Sequence, residues 1–322
     1  MNDPHPGPAR DFVGYGRQTP AIEWPDGARV AVSLVINYEE GSEKSWLEGD
    51  AANEGLGELT HRTLDPGYRD LCTETVYEYG SRAGVFRLFR LLDEYRVPCT
   101  MYAAALALER NPDAAAWIRE SGFETASHGW RWADDWTRSR DEQRALIDRA
   151  VASIETTTGT RPVGWYSRYM PSVHTRELLV EEGGFIYDSE SSNDDLPYYV
   201  QVGGREHLIV PYSITYNDVH YFNGSYASPS DFVDYTTRAL DYLAWEGETH
   251  PKMMSIGLHC RWTGQAGRAS ALREFIEHAQ ARGDVWFARR RDIAEWWLER
   301  YPPGALQPSA RHEPMTASVA GE

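Results

Sequence analysis

Cysteine is nearly absent from this chain, and the three present, Cys72, Cys99 and Cys260, are far apart and form no C-x-x-C pair. That removes a disulfide framework and a zinc knuckle as organising devices, and a reducing cytoplasm is the simplest fit. Long apolar runs are missing too: none approaches the roughly 18 residues of a membrane helix. Positive charge is outweighed, with 32 Lys and Arg against 49 Asp and Glu and a net charge of -17. Neither nucleic acid nor an anionic membrane is therefore an expected partner. Residues 1–10 are Pro-rich and lack the basic-then-apolar order of a secretion signal, which again suggests the cytoplasm. No G-x-S-x-G elbow is present, which disfavours covalent serine catalysis. No G-x-G-x-x-G follows the first strand-like run, which counts against a dinucleotide-binding sheet. There is no internal repeat and no low-complexity block.

What is present is a regular alternation. The chain is 322 residues long and 41% hydrophobic, enough for a large single core. Short apolar runs at 29–37, 97–104, 122–127, 162–167, 185–189, 207–212, 252–259 and 285–289 read as strands. Most are separated by helical spacing: Val85, Leu88, Phe89, Leu91 and Leu92 share one face of 81–95, and Leu146, Ile147, Val151 and Ile154 one face of 141–157. Segments 231–245, 269–282 and 292–301 repeat the pattern. About eight strands alternating with helices predict a parallel (β/α) barrel, an α/β fold of irregular form. The expected organisation is an N-terminal arm at 1–19, a catalytic barrel at 20–301 and a flexible tail at 302–322. An insertion at about 43–79 should act as a lid or a subunit contact, with Trp46 as its anchor.

Chemically able residues sit at the ends of these strands. The first run ends in Glu39-Glu40, the third in Ser127-His128, the fourth in Tyr166-Ser167-Arg168 and the fifth in Asp188-Ser189-Glu190, with Asp194-Asp195 beyond. The sixth leads to Tyr212 and Asn217-Asp218, and the seventh ends in His259-Cys260-Arg261. In a barrel these ends converge on one face. Carboxylate, imidazole and guanidinium together suit water attack on a carbonyl, with a base for the water, an acid for the leaving atom and a cation for the oxyanion. The abundance of aromatics, 12 Trp and 19 Tyr, suits a pocket for a small molecule.

These residues resemble the polysaccharide deacetylase superfamily. Asn37-Tyr38-Glu39-Glu40-Gly41 lies where that superfamily has T-F-D-D-G. Ser127-His128-Gly129-Trp130-Arg131-Trp132 lies at its H-[ST]-x-x-H, and Ile256-Gly257-Leu258-His259 at its final L-x-H. Longer runs are similar to the metal-independent allantoinase branch: Y-E-Y-G-S-R-A-G at 77–84, G-W-Y at 164–166, Y-D-S-x-S at 187–191, D-D-L-P-Y at 194–198, V-P-Y at 210–212 and K-M-M-S-x-G-L-H-C-R at 252–261. The resemblance implies a deformed (β/α) barrel of the polysaccharide deacetylase type, a homo-oligomer (dimer or tetramer), no cofactor, and a small-molecule amide as substrate. It implies hydrolysis of a non-peptide C–N bond, most simply in a cyclic amide such as a hydantoin. The alternatives are deacetylation of an N-acetyl sugar or secondary metabolite, and a catalytically inactive barrel that binds a small ligand.

The superfamily metal site uses Asp, His and His, and here those positions hold Glu40, His128 and Trp132. An indole offers no lone pair to a metal, so catalysis without a tightly bound ion is expected. The roles that follow are Glu39 as general base, oriented by Arg82 or Arg168, and His259 as general acid. His128 and Arg168 would polarise the carbonyl, and Trp130, Trp132 and Tyr166 would wall the pocket. Glu40 and Tyr212 complete the binding set, while Asp188 and Asp195 would bind ring N–H groups or serve as ion-pair members. The run at 167–175 and the residues after Tyr212 depart from the allantoinase pattern, which leaves allantoin itself open as the substrate.

Overall fold

The stretch V-A-V-S-L-V-I-N-Y forms a strand in which all nine residues are buried, and a strand with no wet face needs partners on both edges and layers on both sides. The computed structural model describes residues 7–17, 19–55, 64–65 and 67–306. Its strands, in chain order, are β1 (Val30–Tyr38), β2 (Cys99–Ala103), β3 (Glu124–Ser127), β4 (Gly164–Trp165), β5 (Tyr187–Asp188), β6 (Tyr198–Val202), β7 (Arg205–Ile209), β8 (Lys252–His259) and β9 (Val285–Phe287). Its helices are α1 (Leu71–Tyr79), α2 (Val85–Tyr95), α3 (Ala105–Arg110), α4 (Pro112–Ser121), α5 (Arg140–Thr158), α6 (Thr175–Glu182), α7 (Val219–Phe222), α8 (Pro229–Glu246), α9 (Ala266–Arg282) and α10 (Arg290–Arg300).

The strands make one sheet in the order β6-β7-β5-β4-β3-β2-β1-β8, with β9 beside the first residues of β1. Every pairing is parallel except β6 with β7. The sheet curls until the chain after β7 meets β8 at a single bridge, Asn217 to Gly257. This is the deformed (β/α) barrel, closed by a loop instead of a full strand ladder.

Alternation along β1 divides its side chains. Val30, Val32, Leu34, Ile36 and Tyr38 face outward, packed with Leu88, Phe89 and Leu92 of α2, Leu240 of α8 and Phe275 of α9. Val35 faces inward with Tyr102, Ala126 and Tyr212. The fully buried Arg290, the first residue of α10, plugs the barrel below: it donates to Ser189 Oγ at 3.1 Å, Ser255 Oγ at 3.0 Å and the Pro211 carbonyl at 2.7 Å. Trp24 seals that end, its indole N–H donating to the Lys252 carbonyl at 2.9 Å.

Each of the eight expected runs overlaps a strand, though β7 lies at 205–209 against an expected 207–212, and β4 and β5 keep only two residues each. The ninth, β6, is an antiparallel edge that the expected pattern omits. The insertion is partly helical: α1 forms its last nine residues, while 56–63 and 66 lie outside the described residues. Its first half is tied over the loops after β3 and β4. Asp50 pairs with Arg131 at 2.7 Å, Glu54 with Arg168 at 2.7 Å, and Lys44 with Asp134. Trp46 is only half-buried and opens a short turn capped by Ser45; polar pairs, not Trp46, do the anchoring. In the arm, Tyr15 donates to the Pro197 carbonyl at 2.5 Å. The expected tail is described only to residue 306, and the rest of it lies outside the described residues.

Candidate active site

The inward parity of β1 passes from Val35 through Asn37 to Glu39, so Glu39 emerges at the C-terminal mouth, where it is almost fully buried. Asn37 holds the strand end in register, donating to Tyr212 Oη at 3.2 Å and to the Leu258 carbonyl at 3.2 Å. Three cationic or protonatable groups converge on Glu39. His128 Nε2 and His259 Nε2 each lie 3.4 Å from its Oε1, and Arg261 Nη1 lies 2.7 Å from its Oε2. The loops after β1, β3 and β8 thus meet at one carboxylate, as the convergence of parallel strand ends requires.

His259 is held from behind. Its Nδ1 faces Asp218 Oδ1 at 2.6 Å, while Asp218 Oδ2 accepts from the His259 backbone N–H at 2.7 Å and from Thr263 Oγ1 at 2.6 Å. Burial alone would drive the imidazole toward neutrality, but Glu39 and then Asp218 outweigh it and lift His259 to about 9. Near neutral pH it is an imidazolium between two carboxylates. The same charges act in reverse on Glu39: burial would raise its pKa, yet Arg261 and His259 hold it well below the usual carboxylate range. The site therefore pairs an ionised carboxylate with a proton-carrying imidazolium, the two states that base and acid need at one pH.

His128 is fixed differently. Its Nδ1 lies 2.5 Å from the Tyr166 carbonyl, which only accepts, so Nδ1 carries a hydrogen and Nε2 is the ring atom facing Glu39. Its ring stacks on Tyr166 at 5.5 Å with planes 5° apart, and Tyr166 in turn packs on Tyr212 and Tyr102. Tyr212 Oη also accepts from Asn217 at 2.9 Å. Trp132 walls the opposite side, next to Tyr77 and Tyr169.

Glu39, His128, His259, Trp132, Tyr166 and Tyr212 thus gather in one place, but other expected members do not. Arg168 donates to the Trp132 carbonyl at 2.9 Å and pairs with Glu54, stacked over Trp132 at 3.9 Å; it latches the insertion and is not aimed at Glu39. Arg82 is 79% exposed, and its ion pair among the described residues is with Glu78. Trp130 turns away to the helices, with Arg149 stacked over its ring at 3.5 Å. Asp188 is sealed against Arg176 at 2.7 Å and His207 at 3.2 Å, a structural ion pair. Asp195 accepts from Met253 through its backbone carbonyl, near the start of β8. That is six residues before His259, or about 20 Å along a strand, and so at the far end of the barrel. Glu40 follows the outward parity: its carboxylate accepts from the backbone N–H of Glu39 and of Arg261, each at 3.1 Å.

Two residues of the cluster, Arg261 and Asp218, are absent from the expected set. Arg261 closes the long run at 252–261, and Asp218 follows Asn217; both lie within the segments that carry the resemblance. The run at 80–84 also changes meaning. It forms one π-helical turn, and its two glycines let it lie on the site's backbone. A Cβ at Gly80 would come within 2.6 Å of the Glu40 carboxylate, and one at Gly84 would overlap the Cys260 carbonyl.

The donor set does not fit the superfamily's metal. Trp132 supplies no lone pair, Glu40 is engaged by two backbone N–H groups, and the Arg261 guanidinium stands beside Glu39. Among the described residues no group of three His, Cys, Asp or Glu is arranged to hold an ion.

Comparison with known proteins agrees with this architecture. The polysaccharide deacetylase family profile matches residues 69–177. A Schizosaccharomyces pombe protein that carries a polysaccharide deacetylase name is 35% identical over 316 residues, covering 91% of this chain and 98% of that protein. A Pseudomonas aeruginosa PAO1 structure with a polysaccharide deacetylase name superposes with TM-score 0.87 at 42% identity, covering 91% of this chain and 99% of its own. The structure of PuuE allantoinase superposes with TM-score 0.88 at 41% identity, covering 91% and 98%.

Proposed function

This chain belongs to the polysaccharide deacetylase family of hydrolases, and from that premise we propose that it opens a cyclic amide of the hydantoin type, as an allantoinase does. The observation that carries the proposal is the charged pair at the barrel mouth: an ionised Glu39 in contact with a His259 that is protonated near neutral pH. Similarity to PuuE allantoinase over nearly its whole length supports the ring-opening reading over removal of an acetyl group.

The proposed proton cycle is balanced. Glu39 takes one proton from a water that is also held by His128 Nε2, and the resulting hydroxide adds to the carbonyl carbon. The oxyanion forms beside the positive charge of Arg261 and His259. As the C–N bond breaks, the Nε2 proton of His259 passes to the departing ring nitrogen. Glu39 and His259 adjoin, so the proton gained by the carboxylate can return to the imidazole and restore both for the next turnover. The aromatic wall of Tyr102, Tyr166, Tyr212 and Trp132 suits a flat ring.

The test is initial-rate kinetics on a panel of hydantoins, cyclic imides and N-acetyl compounds, run with wild type and the E39Q variant. Ring opening by wild type that collapses in E39Q is the expected result. Release of acetate with no ring opening would replace this reading with the deacetylase one, and no turnover at all would sink both.

A further inference from the structure

Two fully buried carboxylates, Glu39 and Glu40, flank a single position, while the imidazoles of His128 and His259 stand on the other oxygen of Glu39. A point between two buried carboxylates ordinarily takes a cation, either a metal ion or a charged side chain. Here the point is taken by Arg261. Its Nη1 lies 2.7 Å from Glu39 Oε2 and 3.5 Å from Glu40 Oε1, while its own backbone N–H donates to Glu40 Oε1 at 3.1 Å. The guanidinium is fully buried in an aromatic box: its carbon lies 4.5 Å from the Tyr77 ring centre, 4.3 Å from Trp262 and 5.3 Å from Trp132. Aromatic faces attract a desolvated cation, and a guanidinium keeps its charge even when buried.

We propose that Arg261 is a tethered cation standing in for a divalent ion between Glu39 and Glu40, so that this barrel carries its positive charge covalently and excludes metal from the mouth. The proposal explains Trp132. An imidazole there would face the guanidinium as a second positive or neutral donor, whereas the indole offers it a π face. It also explains the tight glycine turn at 80–84, which packs against Glu40 and the Cys260 carbonyl and fixes the loop that aims Arg261. Arg261 acts through Glu39, holding its charge and direction, and is a positioning residue. The proposal stands whether the substrate is a hydantoin or an acetamide.

The test uses cobalt(II) alone as probe on the full chain, read by visible absorption and equilibrium dialysis, so that it depends on no substrate. Wild type should take up no stoichiometric cobalt at this site. R261M, neutral and of similar length, should take up one ion per chain, with a ligand-field spectrum that disappears in the E39Q/R261M double variant. Millimolar guanidinium ion should compete that cobalt away, a readout that a merely structural role would not move. R261K, which restores a positive charge, should again exclude the metal. Cobalt bound stoichiometrically by wild type and lost in E39Q would overturn the proposal, as would a folded R261M that binds none. If R261M does not fold, R261K decides: folded and free of cobalt supports the tethered cation, while a folded R261K that binds cobalt, or one that does not fold, overturns it.

Discussion

Replacing Asp218 with Asn is the most informative perturbation of the acid. His259 is lifted from its ordinary 6.5 to about 9, chiefly by Glu39 and Asp218 working against burial. At 1.36 kcal/mol per pH unit that is about 3 kcal/mol of preference for the imidazolium. A carboxylate in direct contact typically accounts for about 1 to 3 pH units, and Asp218 touches Nδ1 at 2.6 Å. D218N keeps the shape and the possibility of a hydrogen bond but removes the charge, so His259 should titrate at least about one pH unit lower. The assay is NMR titration of ring-labelled histidine, with the His259 resonance assigned by H259N. The sign of the stability effect follows. A histidine whose folded value is raised contributes fully below about 6.5 and loses that contribution as pH rises through about 9. Wild type should thus lose stability across that window by an amount on the order of 3 kcal/mol from this group, and D218N should lose less, and at lower pH. A His259 that titrates near 6.5 in wild type, or one unmoved in D218N, would refute the reasoning.

Other outcomes follow from the same geometry. E39Q and H259A should each lower turnover by about 100- to 10,000-fold, the usual range for a positioned base or acid, with an unchanged circular dichroism spectrum; near-normal rates would remove the assigned role. G84A should destabilise by about 1–3 kcal/mol or prevent folding, because the new Cβ overlaps the Cys260 carbonyl; an unchanged melting temperature would contradict the packing described. E54Q removes the short buried pair of Arg168, 7% and 5% exposed, and leaves it the longer contact to Asp134 at 3.6 Å. Full loss of a partner from a buried pair costs about 3–5 kcal/mol, and the remaining Asp134 contact reduces that cost here. Limited proteolysis of E54Q should therefore cut the insertion faster than in wild type, and equal cleavage rates would show that Arg168 is not its latch.

Much of this was legible in the sequence, and the reasons differ from part to part. β1 is readable because a strand buried on both faces is an unbroken apolar run, and its terminal carboxylates stand out against it. β6 is not, since four of its five residues are only partly buried or exposed and it pairs on one edge alone. Among the residues at strand ends, parity along β1 separates Glu39 from Glu40, but no periodicity governs the turn after β3. Trp130 and Trp132 look equivalent in sequence, yet one faces the helices and the other the site. Arg82 and Arg168 are cations in suggestive segments. Their partners, Glu78 and Glu54, are what decide that the first is a surface residue and the second a latch. Arg261 hides in a long run where the neighbouring imidazole draws attention. Its role follows only from the meeting of β1 and β8, side by side in the sheet though 222 residues separate Glu39 from Arg261.

The most direct test of the central claim is product identity by mass spectrometry in water enriched in heavy oxygen, with hydantoins and N-acetyl compounds offered together to the wild-type chain. The account predicts a ring-opened acid that has gained one water, with one heavy oxygen in the new carboxylate and none of this product in E39Q. Free heavy-labelled acetate with the hydantoins left intact, or ring opening that persists in E39Q, would contradict it.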